Sequence, residues 1–248
     1  MEQLLTEQTT VGELAGKCPR ARKVFEQRGI DYCCGGKRSL AEAAKEQGTS
    51  PDELLSDLKM AIEEKPDQET DEKDWYAASL SELADHIQSR HHTFMHEQLP
   101  RLAAMLAKVI RAHEANHGKM LRELQKTYLG LRVEIEEHLY KEERILFPLI
   151  RSMDAYAQDK GPRPVAHCGT VQNPIGQMEH EHDDAAHALD KMREITVNYT
   201  LPGDACNTFA ALYDVLQAME DDLHQHIHLE NNILFPRSAE LERTIGGE

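Results

Sequence analysis

Two stretches of this 248-residue chain repeat one another: His138-Leu-Tyr-Lys-Glu142-Glu-Arg-Ile-Leu-Phe-Pro148 and His226-Ile-His-Leu-Glu230-Asn-Asn-Ile-Leu-Phe-Pro236. Both read H-x-x-x-E-x-x-I-L-F-P. On a helix, a carboxylate four residues after a His lies on the same face, about 6 Å further along the axis, where both side chains can ligate one metal centre. The chain holds 14 His, and His is both the commonest metal ligand and an ordinary titrating surface residue, so position must decide which of them take part.

The elements that carry these pairs must turn them inward. Cap signals and a 3.6-residue period recur along the chain while period-two alternation is scarce, which predicts an all-α fold. The second long helix carries an apolar seam of Leu124, Tyr128, Leu131, Ile135, His138, Glu142, Ile145 and Leu149, stepping alternately by four and three residues as a bundle core stripe does. The fourth repeats it with Leu212, Leu216, Met219, Leu223, His226, Glu230 and Ile233. The third gives Ile175, Met178, His182, Ala185, Leu189 and Met192, and the first His92, Met95, Leu99, Leu102 and Leu106. Each seam thus includes a His. Breakers at Asn116-His117-Gly118, around Gly161-Pro162 and at Leu201-Pro202-Gly203 separate the four helices, and Pro100 is expected to kink the first.

Groups at one height in antiparallel helices are equidistant from the turn between them. The midpoint of His92 and the His138/Glu142 pair falls at 116, that of this pair and His182 at Gly161, and that of His182 and the His226/Glu230 pair beside Pro202-Gly203-Asp204. All six groups therefore fit one layer of an up-down-up-down four-helix bundle. His113 lies about 31 Å from His92 along a continuous helix and is excluded. His96 and His187 fall less well on their seams and stay open as further ligands or donors. His86, His91, His117, His180, His224 and His228 are expected at the surface or periphery.

Two buried carboxylates facing one another need a compensating positive charge, which a metal supplies. Four imidazoles and two carboxylates, with no thiolate, suit a pair of iron or manganese ions, and iron is the expected choice. If Glu142 and Glu230 bridge, a non-haem, carboxylate-bridged pair with an oxo or hydroxo bridge keeps a position open on each ion for a small molecule. A lone four-coordinate zinc uses fewer ligands. Glu134, one turn before His138, and Glu181, beside His182, are candidates to orient a ligand imidazole or carry protons; each reads equally well as a solvated surface acid.

Ahead of the bundle, Thr10-x-x-Glu13, Ser39-x-x-Glu42 and Ser50-Pro51-x-Glu53 read as capping boxes, with Gly29 and Gly48 as C-terminal caps. They outline a small helical domain over 1–63. A charged stretch, 64–74, reads as a linker, and the bundle occupies 75–248 from the cap Ser79-x-x-Glu82 onward. The small domain contains Cys33-Cys34 before Gly35-Gly36, where flexible backbone and a nearby helix start are expected to favour thiolate, making these candidate redox or iron-handling thiols. Cys18 and Cys206 read as structural.

Composition narrows the function. Lys and Arg total 28 against 44 Asp and Glu, a formal charge of −16, which argues against nucleic acid or an anionic membrane as partner. No apolar run approaches the roughly 20 residues of a membrane span, and MEQLLTEQTT lacks the features of a signal peptide. Five cysteines, odd in number and sparse, fit a reducing compartment, so a cytoplasmic location without disulfides is expected.

The two H-x-x-x-E-x-x-I-L-F-P blocks, Glu179-His180-Glu181-His182-Asp183 and Asp31-Tyr32-Cys33-Cys34-Gly35-Gly36-Lys37 together resemble the RIC (repair of iron centres) family of di-iron iron–sulfur cluster repair proteins. The resemblance covers nearly the whole chain. It implies a small N-terminal domain joined to a hemerythrin-like bundle, and a non-haem di-iron centre linked to recovery of iron–sulfur enzymes after nitrosative or oxidative stress. The family's ligand pattern falls on His92, His138, Glu142, His182, His226 and Glu230. Small diatomic ligands, nitric oxide or oxygen, and iron–sulfur proteins as clients follow as expected partners, and a homodimer is compatible with the sequence. Iron donation and nitric oxide reduction both remain open, as do a hemerythrin-like oxygen or nitric oxide carrier or sensor and a ferroxidase-type redox enzyme. The long connection that includes His167-Cys168-Gly169 is open as a lid, an interface or an ordinary surface loop.

Overall fold

Side-chain caps start the N-terminal helices where the sequence places them. In the computed structural model, which describes residues 4–63, 73–165 and 169–246, the Thr10 hydroxyl accepts from the Glu13 amide at 3.2 Å and opens α1 (Val11–Lys17). Helix α2 (Pro19–Arg28) begins on a proline and closes on Gly29, whose φ of 65° places it in the left-handed region that favours glycine. A full capping box, Ser39 with Glu42, opens α3 (Leu40–Glu46), and the Ser50 hydroxyl accepts from the Glu53 amide at the start of α4 (Pro51–Glu63). A second reciprocal pair, Ser79 with Glu82, opens α5 (Leu80–His86). Each such cap is worth about 1 kcal/mol to its helix. Apart from one isolated bridge, Thr10 with Ser39, the described residues form no β structure.

The chain packs as two compact units, Met1–Leu83 with His224–Glu248, and Ala84–Leu223. These limits differ from the boundary expected at 63–74, most of which lies outside the described residues. In the first unit, Val11, Leu14, Phe25, Tyr32, Leu40, Leu54 and Leu58 form the core of α1 to α4. Within that unit the returning C-terminal segment holds on through side chains: the Arg237 guanidinium donates to the Trp75 and Ala78 carbonyls at 2.8 and 2.6 Å. Charge and polarity along a sequence mark a solvated linker, but they do not say which distant segment fills the space beside a small domain.

The second unit is the bundle. A π-helical turn at Ile87–His92 leads into α6 (Thr93–Lys141), another at Glu142–Leu146 into α7 (Phe147–Ala157), followed by α8 (Gln172–Thr196) and by α9 (Asn207–Leu229), which belongs to this unit as far as Leu223. Helix α6 is two antiparallel arms. A straight helix would hold Leu99 and Tyr128 roughly 43 Å apart, yet the Tyr128 hydroxyl donates to the Leu99 carbonyl at 2.6 Å. The reversal centres on His113, whose φ of −118° and ψ of 16° are not helical; the expected turn at 116–118 comes three residues too late. Pro100 lies within the first arm, whose backbone stays helical through it. Asn116 and His117 then bind Asp204 at 2.9 and 2.7 Å, so the first and third connections meet at one end of the bundle. That is the up-down-up-down arrangement.

The seams are buried as their periods predict, with one informative exception. Ile145, expected inside, is 51% exposed, while Leu146 is 1% exposed. The π turn at Glu142–Leu146 inserts a residue into the helical count, so positions after Glu142 rotate by about 100° and Leu146 takes the core slot. A testable consequence is that Ile145→Ser changes unfolding stability by no more than about 0.5 kcal/mol, whereas Leu146→Ala lowers it by about 2–5 kcal/mol. Denaturant melts of the two variants decide the register, and equal losses would mean an uninterrupted α-helical count. Last, α8 ends at Thr196, ahead of the expected breaker, in three consecutive left-handed residues, Val197, Asn198 and Tyr199. The Tyr199 hydroxyl, donating to buried Glu220 at 2.9 Å, helps hold that turn.

Candidate metal centre

Four of the six expected ligands belong to the Ala84–Leu223 unit, and the fold brings their reactive atoms together. His92 ends the first π turn, His138 lies in the last turn of α6, Glu142 opens the second π turn and His182 projects from α8. Glu142 Oε2 is 3.4 Å from both His92 Nε2 and His138 Nε2, and His138 Nε2 is 3.2 Å from His182 Nε2. All four side chains are buried, Glu142 completely. The π turns bear directly on this arrangement, because a widened turn at Glu142 lets the carboxylate and the imidazole before it aim at one point without uncoiling the helix. Such bulges recur at functional sites.

Carboxylates fix two of the imidazoles. His92 donates through Nδ1 to Glu143 Oε1 at 2.9 Å, and His138 through Nδ1 to Glu181 Oε2 at 2.9 Å. A proton held on Nδ1 leaves Nε2 as the basic nitrogen, and both Nε2 atoms face Glu142. This carboxylate–imidazole pairing is the arrangement that orients metal-bound His and raises its basicity. Burial pushes the Glu181 carboxyl up, but hydrogen bonds from His138, Lys141 and Gln177 outweigh it and hold the pKa down at about 2, so Glu181 is an anion whenever the protein is folded near neutrality. The Phe147 ring of the I-L-F-P tail stacks on His92 with centroids 5.4 Å apart. A dry cluster of basic nitrogens around an acid is costly without a cation and fits one well.

The remaining two expected ligands lie in the other unit, and there they form the same local pair. His226 Nε2 is 3.1 Å from Glu230 Oε1, both side chains are buried, and Glu230 opens a π turn, Glu230–Leu234, as Glu142 does. Helix α10 (Phe235–Gly246) follows as α7 follows Glu142–Leu146. The repeat seen in the sequence is thus a repeat of backbone geometry as well.

Other sequence expectations divide. Glu181 accepts from His138, whereas Glu134, one turn before His138, is exposed on α6. The residue the sequence reading missed is Glu143, which holds His92. Its signal was adjacency to Glu142, overlooked because neighbouring residues on an α-helix point about 100° apart. Glu143 faces the first arm of α6. His96 is exposed, with its Nε2 3.6 Å from Glu143 Oε1; His187 is exposed and His113 marks the reversal. His91 and His228, expected at the periphery, are buried. His91 Nδ1 binds Asp222 at 3.1 Å, and burial, with Arg22 adding to it, holds the His228 imidazole neutral with a pKa of about 3.

The thiols also depart from expectation. Cys33 has its pKa raised well above the ordinary thiol value by its hydrogen bond with Cys34, by burial and by Asp31. No helix begins at Cys33 or Cys34, since α3 starts at Leu40. The acidified thiol is Cys206, exposed before the start of α9, where a hydrogen bond with His113 and the amides of Phe209 and Thr208 bring its pKa to about 7. His167 and Cys168 lie outside the described residues. Alanine at Glu143 or Glu181 is expected to loosen iron retention about 10–100-fold, read by competition with a chelator. Unchanged retention in both variants would reduce these carboxylates to packing.

Comparison with known proteins returns two domain families and full-length relatives. Residues 83–238 match the hemerythrin HHE cation binding domain, and residues 7–62 match ScdA_N, a domain of unknown function (DUF542). The iron–sulfur cluster repair proteins YtfE of Salmonella paratyphi B, Salmonella newport and Salmonella heidelberg are each 40% identical to this chain over 228 residues, covering 92% of it and 95% of the relative.

Proposed function

Because this chain belongs to the family of iron–sulfur cluster repair proteins that carry a hemerythrin HHE cation binding domain, we propose that it binds iron through its buried His/Glu clusters and acts in the repair of iron–sulfur clusters. The observation that carries the reading is the cluster of His92, His138, Glu142 and His182, with the first two imidazoles fixed by Glu143 and Glu181.

The finer assignment is two iron ions held by His92, His138, Glu142, His182, His226 and Glu230, with Glu142 and Glu230 bridging. It is supported by the matched motifs, by their matched π turns and by a family match that runs from 83 to 238 across both motifs. Iron bound there supplies redox chemistry and coordination positions for a small molecule. The chain's own residues do the rest: Glu143 and Glu181 hold the proton on Nδ1 of His92 and His138, Phe147 shields His92, and the apolar seams exclude water. Full burial of Glu142 favours a diatomic ligand over any larger substrate, which suits nitric oxide removal, with iron donation as the other route to repair. Iron–sulfur proteins are the clients. Four imidazoles to two carboxylates set it apart from ferritin-like oxidases, which use more carboxylates and the Glu-x-x-His order.

Anaerobic reduction of the iron-loaded protein, addition of nitric oxide and analysis of nitrogen products test the reading. A parallel arm measures iron transfer to an enzyme with a damaged cluster. Reduced nitrogen products support nitric oxide removal; iron transfer without them makes the protein an iron donor, and reversible oxygen binding with neither would make it a carrier. No described helix is long and apolar enough to cross a membrane.

A further inference from the structure

Outside the bundle, one more group of metal-type donors converges, in the loop between α2 and α3. Cys33 Sγ lies 3.1 Å from Asp31 Oδ1 and 3.9 Å from Cys34 Sγ, and one donor atom from each of the three residues lies within 4.8 Å of the other two. Around a tetrahedral ion with metal–sulfur distances near 2.3 Å, two thiolates sit about 3.8 Å apart, and a thiolate and a carboxylate oxygen about 3.5 Å apart. Two edges of one face of such a tetrahedron are therefore already spanned to within a few tenths of an ångström, and the third, between Cys34 and Asp31, is no longer than 4.8 Å.

The loop is built rather than slack. Asp31 accepts from the amides of Cys33, Cys34 and Gly35 at 2.9, 2.9 and 2.8 Å. From the C-terminal segment of the same unit, the Asn232 amide donates to the carbonyls of Tyr32 and Cys33, both at 3.1 Å. Gly36 serves this packing: a Cβ there would come within 2.2 Å of Asn232 Oδ1. Arg38 Nη2 also stands 3.9 Å from Asp31 Oδ2, ready to balance the negative charge of a dithiolate–carboxylate set. Asp31 is exposed and Cys34 half-buried, so the fourth side of the tetrahedron faces solvent.

We propose that Asp31, Cys33 and Cys34 form a second metal site, three-coordinate from the protein and open on its fourth side, for a thiophilic divalent cation of the zinc or ferrous-iron class. Binding replaces two S–H bonds by two metal–sulfur bonds and releases two protons, with no change of oxidation state. Three ligands and an open side make a site for handing an ion on rather than burying it, as structural four-ligand sites do. That use rests on the repair reading above; the binding does not.

The test titrates Co(II) into the full chain under a phosphine reductant, following the near-ultraviolet thiolate-to-cobalt charge-transfer absorption, proton release and, in the same samples, the metal content of the bundle. The expected result is a thiolate band saturating at one Co(II) per chain with release of about two protons. The band should vanish in Cys33→Ser and in Cys34→Ser, weaken at least ~10-fold in affinity in Asp31→Asn, and persist in Cys18→Ser and Cys206→Ser. Circular dichroism matching the wild type keeps the variants interpretable, because Asn can still accept the loop amides. Absence of a band at tenfold excess cobalt, its survival in the Cys33→Ser/Cys34→Ser double variant, or unchanged affinity in Asp31→Asn overturns the site. Loss of this site with bundle metal intact leaves the repair reading standing, and loss of bundle metal with the thiolate band intact does the reverse.

Discussion

Glu142→Ala and Glu230→Ala should each purify with most of their iron gone, while His113→Ala retains it. Each substitution removes a buried carboxylate that, as a bridge, would touch both ions and balance their charge, so its loss should weaken retention by more than the ~10–100-fold that losing an orienting partner costs. Glu142 Oε2 sits 3.4 Å from imidazole nitrogens of two different helical segments. His113, at the reversal of α6, is the control that separates ligand loss from general damage to the bundle. Metal analysis by mass spectrometry with visible absorption reads the outcome. Full iron occupancy in both Glu variants would remove the bridging assignment.

A Cys33→Ser/Cys34→Ser variant is expected to behave in the opposite way, with the iron and the spectra of the bundle centre unchanged but poor recovery of damaged cluster enzymes in cells. Both thiols are free and lie in the loop before α3, whereas every proposed iron ligand is a nitrogen or oxygen donor of the bundle motifs. Serine keeps the shape of the loop, since its fixed points are the Asp31 carboxylate and the Asn232 amide rather than the sulfurs. Enzyme recovery after a nitric oxide pulse, compared with total protein level, is the measurement. Loss of the bundle's own iron spectra in this variant would bring the thiols to the bundle centre, and unimpaired recovery would show that the thiols are not needed for repair.

The helices, their caps and the inward face of the ligands were legible because they depend on local spacing. Thr10, Ser39, Ser50 and Ser79 cap where they stand since a hydroxyl reaches an amide three residues on in any helix start. His92, His138, Glu142 and His182 fall inward because a residue on an apolar stripe goes where the stripe goes. Ile145 failed for the complementary reason: the π turn ahead of it is a tertiary compromise, made where buried donors converge, and nothing in a 3.6-residue count announces it.

What the sequence by itself determined is therefore the all-α class, the four seams and the pairing of each H-x-x-x-E motif, all consequences of interactions within a few residues along the chain. What only the tertiary structure decided is which side chains from other segments complete them: Glu143 rather than Glu134 behind an imidazole, Asp222 on His91, Asn232 clamping the Cys33 loop, and the joining of His224–Glu248 to the N-terminal unit. Those partners lie tens to hundreds of residues away in the chain. Their choice follows from which surfaces are left to be covered once the helices have formed, and even the Cys33 thiol, expected to be acidified by its neighbours in sequence, is held protonated by Cys34, by burial and by Asp31 once the loop has folded.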